Sequence, residues 1–282
     1  MKKIFALLMI CMLLLATGCG GGDDKKVSDN SEPIKLGTIK HLNVTETLLD
    51  TYFEKVASRM EQTSKIRAPK HIFFDNMTSM LAALQSGQID RISTYYCVGR
   101  YLIEQDNKYK IADDSIPKIS DSFCCAMLEK NSALKKEFDD AILKLTADGT
   151  LAKLVKTYIN DADFKNLPIV EMPNFDGAKT IKVAVTGDLP PLDYVRADGK
   201  PAGFNTALLA EISKLIGKNF ELVNIDSGAR AVALGSGEVD VVFWAAVPLD
   251  DTIAPANFDK PDGVILTEPY HTEEIVHIQM VK

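Results

Sequence analysis

Arg230 stands among Gly228, Ala229, Ala231 and Ala233 at the start of a helix, an odd place for a long cation. Its guanidinium is either a surface charge or a two-pronged clamp for a carboxylate. Trp244 is the single tryptophan and ends the expected strand Val239 to Phe243; it either packs in a core or lays a broad ring over an apolar or cationic ligand. Tyr95 and Tyr96, followed by Arg100, offer stacking and hydroxyl hydrogen bonds, or else pack a helix. Thr38 and His41 sit where a strand gives way to a helix, where backbone donors receive an anion or simply close a loop. Asp188, Leu192 and Tyr194 share one loop, and by residue type Asp188 is an Asx turn or a helix cap. Binding chemistry predominates in this set. Neither C-x-x-C nor H-E-x-x-H occurs, the four histidines are scattered, and no phosphate loop or nucleophile elbow is found, so no metal or cofactor is expected.

The elements that must hold these groups are clearest over 181–217. Ile181, Val183 and Val185 give a short β-branched strand that breaks at Thr186-Gly187-Asp188, the point at which open α/β sheets bind ligands. Pro190-Pro191 stiffens the loop, and Asp198-Gly199 makes a tight turn. Asn205 or Thr206 is placed to cap a helix whose apolar positions Leu208, Leu209, Ile212, Leu215 and Ile216 recur at helical spacing before Gly217 stops it. A strand from Phe220 to Asn224, a helix opening near Ala231, the turn Ser236-Gly237 and a strand over Val239 to Phe243 follow.

These motifs resemble the family 3 extracellular solute-binding proteins, in which a strand leads into D-x-P-P-[FL], a hairpin, G-F-[DN] and a helix. Here the pattern reads Asp188-Leu189-Pro190-Pro191-Leu192 and Gly203-Phe204-Asn205, and Pro269-Tyr270 with the closing run Ile275 to Val281 also fits. The resemblance implies a two-lobed α/β fold, type II periplasmic-binding-protein-like, with the ligand cleft between the lobes. It aligns Asp188 with an acidic residue that often faces an α-amino group, and Trp244 with a small cleft-facing position. It also exposes two departures. The segment Val247 to Ile253 lacks the arginine that grips an amino-acid carboxylate, and Tyr95 stands where an aspartate usually meets ligand nitrogen.

Residues 34–120 hold a second α/β pattern: Ile34 to Thr38, a helix from about Thr45 to Met60, the strand His71 to Phe74, and a helix from Met77 to Leu84. Gln85-Ser86-Gly87-Gln88-Ile89-Asp90 mirrors Gly235-Ser236-Gly237-Glu238-Val239-Asp240, an internal repeat. By resemblance 34–120 is the family's second lobe, and 121–160, with Asp121 to Met127 as a returning strand and Leu145 to Leu154 near the family's consensus ending, is its terminal segment. A linker over 161–180 then leads to the first lobe, 181–282. The expected organisation is a circular permutation with permuted lobe order; the competing account is a tandem pair of truncated copies.

Ahead of this, Lys2-Lys3 and the apolar run Ile4 to Ala16 form a signal peptide over 1–18, and Leu15-Ala16-Thr17-Gly18-Cys19 resembles a bacterial lipobox, which implies acylation of Cys19. Ordinary signal cleavage is the alternative. Residues 19–33 read as a flexible lipidated tether. Removing 1–18 takes away two lysines and no acid, so the formal charge of −7 becomes −9, poorly suited to nucleic acid. Cys97, Cys124 and Cys125 remain, as buried thiols or with one pair. The expected activity is that of a lipid-anchored, extracytoplasmic binding protein that captures a small polar solute, an amino acid or related organic acid or amine, and presents it to an ABC transporter permease. The rivals are a sensing or partner-binding lipoprotein and a dehydratase-like enzyme with Asp188 or Asp193 as acid–base.

Overall fold

A computed structural model describes residues 32–59, 69–112, 119–249, 254 and 258–281; the signal peptide, Cys19 and the segment 250–253 lie outside them. The first half contains β1 (Lys35–Ile39), α1 (Glu46–Arg59), β2 (Lys70–Phe74), α2 (Met77–Gln85), β3 (Arg91–Tyr95), α3 (Tyr96–Gln105) and β4 (Tyr109–Ile111). Then come β5 (Ser120–Leu128), α4 (Ser132–Ala147) and α5 (Thr150–Val155). The remainder comprises β6 (Thr180–Val185), the small strands β7 (Asp188–Leu189), β8 (Asp193–Val195) and β9 (Pro201–Ala202), α6 (Phe204–Ile216), β10 (Asn219–Asn224), α7 (Arg230–Ser236), β11 (Val241–Pro248), β12 (Val264–Leu266) and β13 (His271–Met280).

The strands are ordered β10-β6-β11-β5-β13-β3-β1-β2, with β12 beside β5 and β4 beside β13. Two parallel units, β2-β1-β3 and β10-β6-β11, stand at opposite ends. Antiparallel strands join them: β5 runs against β11, and β13 runs against β5 from His271 to Glu274 and against β3 from Ile275 to Ile278. One strand therefore belongs to both halves, and the end of the chain is not confined to the lobe that begins at 181.

The repeated turn has a physical purpose in both halves. Asp90 accepts from the Lys35 amide (2.8 Å) and its own amide donates to the Lys35 carbonyl (2.9 Å). Asp240 makes the same pair with Lys182, at 3.0 and 2.9 Å. In each half the turn aspartate ties the strand it introduces to the first strand of its unit and satisfies an amide that would otherwise be left open at the sheet end.

α4 buries Phe138, Ala141, Ile142 and Leu145, the i, i+3, i+4, i+7 face of its sequence. Phe138 stacks on Phe220 with ring centroids 5.6 Å apart. α6 begins at Phe204, and neither Asn205 nor Thr206 caps it. The residue ahead of it is Gly203, at φ 107°. A Cβ there would come within 2.5 Å of the Leu192 carbonyl oxygen, so the crossing loop leaves room only for glycine. Asn205 points inward instead and donates to Asp193 (3.1 Å). Cys97, Cys124 and Cys125 are free and buried, and burial raises all three thiols, which makes them inert packing residues.

Candidate functional site

The two halves meet around a cavity of about 80 Å³. The first half contributes Thr38 and His41 at the end of β1, Tyr52 and Phe53 from α1, His71 from β2, and Tyr95 at the end of β3. The second contributes Asp121 from β5, Leu189 from β7, Trp244 and Ala246 from β11, and Phe258. Several of these positions are carboxyl ends of parallel strands, where α/β sheets place ligands. Trp244 reaches the cavity because the pairing of β11 with β5 shifts register between Phe243 and Ala245, a bulge that turns one side chain out of the ladder.

Direct bonds hold the halves shut over the cavity. Asp188 Oδ2 accepts from the amides of Met77 (2.8 Å) and Thr78 (3.2 Å), the first residues of α2 in the opposite half. The Ser227 amide donates to the Asp75 carbonyl (2.8 Å). Gly228 lies so close to that segment that a Cβ would fall 2.1 Å from Asp75 Oδ1. Asp259, 2% exposed, accepts from Ala246 N (3.0 Å) on one side and from Asn43 N (3.1 Å) and His41 Nδ1 (3.2 Å) on the other.

The electrostatics inside are lopsided. Asp121 is 7% exposed and accepts one hydrogen bond, from the Tyr95 hydroxyl (3.3 Å). Burial lifts its carboxyl to about 6, against the opposing pull of His41 and the Tyr95 bond, with Asp259 adding to the rise. Burial and the neighbouring Asp121 and Asp259 push the Tyr95 hydroxyl well above its ordinary range. His71 falls to about 4, chiefly through burial, so it is neutral near pH 7; its Nδ1 lies 3.2 Å from Thr38 Oγ1 and its Nε2 has no partner. The Trp244 indole N–H also lacks one.

Of the seven sequence-derived ligand contacts, Thr38, Tyr95 and Trp244 come together in the cavity wall. The other four stand elsewhere. Asp188 is taken up by the amides of α2. Leu192 is fully buried under the loop, and Tyr194 is half-buried on β8, packed against the core. Arg230 is not a surface charge: it is 0% exposed, with Nη1 donating to the Trp244 carbonyl (3.2 Å) and Cζ 5.3 Å from the Trp244 ring centroid. Its Nε and Nη2 have no partner, and burial lowers its affinity for the proton despite Asp259 and Asp193 nearby. Asp193 lies outside the cavity wall, bonded to Thr186, Gly187 N (2.6 Å) and Asn205.

Sequence reasoning passed over Asp121, His71 and the aromatic wall from α1. Asp121 left one signal, an acid between two serines at the head of a strand whose remainder, Phe123 to Leu128, is apolar. The α1 residues left none, since Tyr52 and Phe53 look like ordinary helix packing until the second half closes on them.

Residues 181–258 match the family model of bacterial extracellular solute-binding proteins, family 3. No curated protein matches the chain. Solved structures similar to it include a ligand binding component of an ABC-type import system from Staphylococcus aureus with zinc bound: 11% identity, 89% of this chain, 66% of that chain, TM-score 0.45. Another is an ABC transporter periplasmic substrate-binding protein from Coxiella burnetii, at 14% identity over 87% of this chain and 84% of that one, TM-score 0.40. A third is a nutrient binding protein from Burkholderia cenocepacia bound to methionine, at 14% identity over 88% and 84%, TM-score 0.41.

Proposed function

We propose that this chain is a family 3 solute-binding protein that captures one small polar solute, an amino acid or a related organic acid or amine, between its two halves. The observation that carries this reading is the cavity with walls from both halves and bonds between them beside it. Binding protein rather than enzyme is the better fit, because the acids weighed for catalysis, Asp188 and Asp193, are occupied by amide and hydroxyl donors outside the cavity wall. Opening and closing about β5 and β13 would admit the solute, which shifts the balance by binding the shut form better.

The finer parts of the proposal follow the family match and the sequence. The chain is a circular permutation of the family order, supported by β13 serving both sheets and by the matching Asp90 and Asp240 turns. Thr38, Tyr95 and Trp244 are proposed as ligand contacts. Cys19 is the lipid attachment point that holds the protein at the outer face of a cell membrane, and an ABC permease receives the solute.

A thermal-shift survey of the full chain with amino acids, small organic acids and amines tests the reading. One or a few related solutes should raise the melting temperature, and a Trp244→Ala protein of intact fold should lose the effect. A flat response across all classes would overturn it. Labelling with palmitate in a bacterial host should be lost in Cys19→Ala; persistence of the label would exclude the anchor.

A further inference from the structure

Asp121 is a buried carboxylate facing a cavity; among the described residues it has one hydrogen bond, from Tyr95, and the base that acts on it is His41, whose pull burial outweighs. Among the described lining residues there is neither lysine nor arginine. Arg230 is not among the lining residues: its Nη1 is bonded to the carbonyl of Trp244, and its guanidinium acts on Tyr95 and Asp259 from outside the wall. Much of the remaining wall is aromatic or aliphatic, with Tyr52, Phe53, Trp244 and Phe258 lining the same cavity. A desolvated carboxylate of this kind has an incomplete shell, and the species that completes it is positively charged. Aromatic rings beside a cation add to that attraction.

We infer that the solute is a small organic cation, an amine or ammonium compound without a carboxylate, whose charged nitrogen is received by Asp121 and whose apolar body lies against the aromatic wall. This inference rests on the cavity being the solute site. A carboxylate would enter with Asp121 facing it and no arginine among the described lining residues to receive it, so the α-amino acids that the family resemblance first suggests are selected against. Tyr95 positions the acid: its hydroxyl donates to Oδ2 and leaves Oδ1 for the ligand.

The test uses three probes of nearly equal size, isobutylammonium, isobutanol and isobutyrate, titrated into the full chain at pH 8. Calorimetry and the emission of Trp244, the only tryptophan, are the readouts. The ammonium probe should bind at least about tenfold tighter than either of the others, the factor that one modest charge contact supplies. Among the described residues the ionisable groups that act on Asp121 are Tyr95 from β3, His41 from the loop after β1, and Asp259 from the segment after β11, and Glu273 pairs with it in the register of β13. With Asp121 titrating at about 6, only roughly a tenth of it is charged at pH 5, so ammonium affinity should fall about tenfold from pH 8. Asp121→Asn should bring the three probes within about threefold of each other and remove most of that pH dependence. The pH comparison on the unaltered protein stands even where the variant fails to fold. Isobutyrate or isobutanol binding as tightly as the ammonium probe would overturn the cation assignment while leaving the solute site intact. No binding by any of the three at either pH would overturn both.

Discussion

Removing the Asp188 carboxylate should loosen closure without touching the cavity wall. Its Oδ2 receives the amides of Met77 and Thr78, two of the donors that the start of α2 cannot satisfy within the helix. Asn76 serves only the Ser79 amide, at 2.9 Å. In Asp188→Ala the two amides remain unpaired as long as the halves stay shut, at about 1 kcal/mol each, and the favourable contact of a negative charge with a helix start goes as well, roughly 0.5 kcal/mol. Against this, burial already holds the carboxyl above its ordinary range, so part of the loss is recovered when the charge is gone. The net shift toward the open form is about 1.5 kcal/mol, or roughly tenfold. Asp188→Asn keeps an acceptor and should lose about a third of that. Small-angle scattering of the unliganded chain should show a larger radius of gyration for Asp188→Ala, and solute affinity should weaken by up to the same factor. Unchanged scattering and unchanged affinity, in a variant that melts cooperatively, would refute the assignment of Asp188 as an inter-half latch.

Asp121→Asn should raise stability more at pH 7.5 than at pH 4.5. A folded-state value of about 6 against roughly 3.9 unfolded means the folded chain holds the proton more tightly, so unfolding free energy falls as pH rises through this window, by up to about 3 kcal/mol. Denaturant melts of the empty protein at the two pH values measure the difference. His71 acts in the opposite sense. Lowered to about 4 from roughly 6.5, it costs up to about 3 kcal/mol as pH drops from 6.5 to 4, and His71→Gln should flatten that part of the stability profile. Phe138→Ala, at a fully buried ring stacked on Phe220, should lose about 3–5 kcal/mol in a chemical melt.

How far the structure was legible in advance depended on how local each signal was. The strand and helix periodicities around Val183, Leu208 and Ile212 belong to short segments, and β6 and α6 lie where those patterns place them. The matching Ser-Gly-x-hydrophobe-Asp turns were legible because each is a complete device, tying one strand to its neighbour. Tyr95 and Thr38 could be picked as candidates because they stand at or near the carboxyl ends of short strands, and Trp244, in the middle of β11, because it is the single tryptophan. Arg230 stood out as an oddly placed cation and Asp188 read as a turn or cap residue, but their partners, Trp244 and the α2 amides, are chosen by packing between elements far apart in the chain. The same reason hid Asp121 and the α1 aromatics: a residue's membership of a cavity depends on which surface closes over it. The division of β13 between two sheets was equally invisible, because its burial pattern is continuous through the point of exchange.

Native mass spectrometry of the purified full chain, followed by denaturation and identification of released small molecules, tests the central claim most directly. A single cavity shared by both halves requires one small molecule per chain, and that molecule should restore the mass shift when added back to the stripped protein. Two molecules per chain would mean that each half binds on its own. A chain that neither carries nor takes up any solute would contradict the account outright.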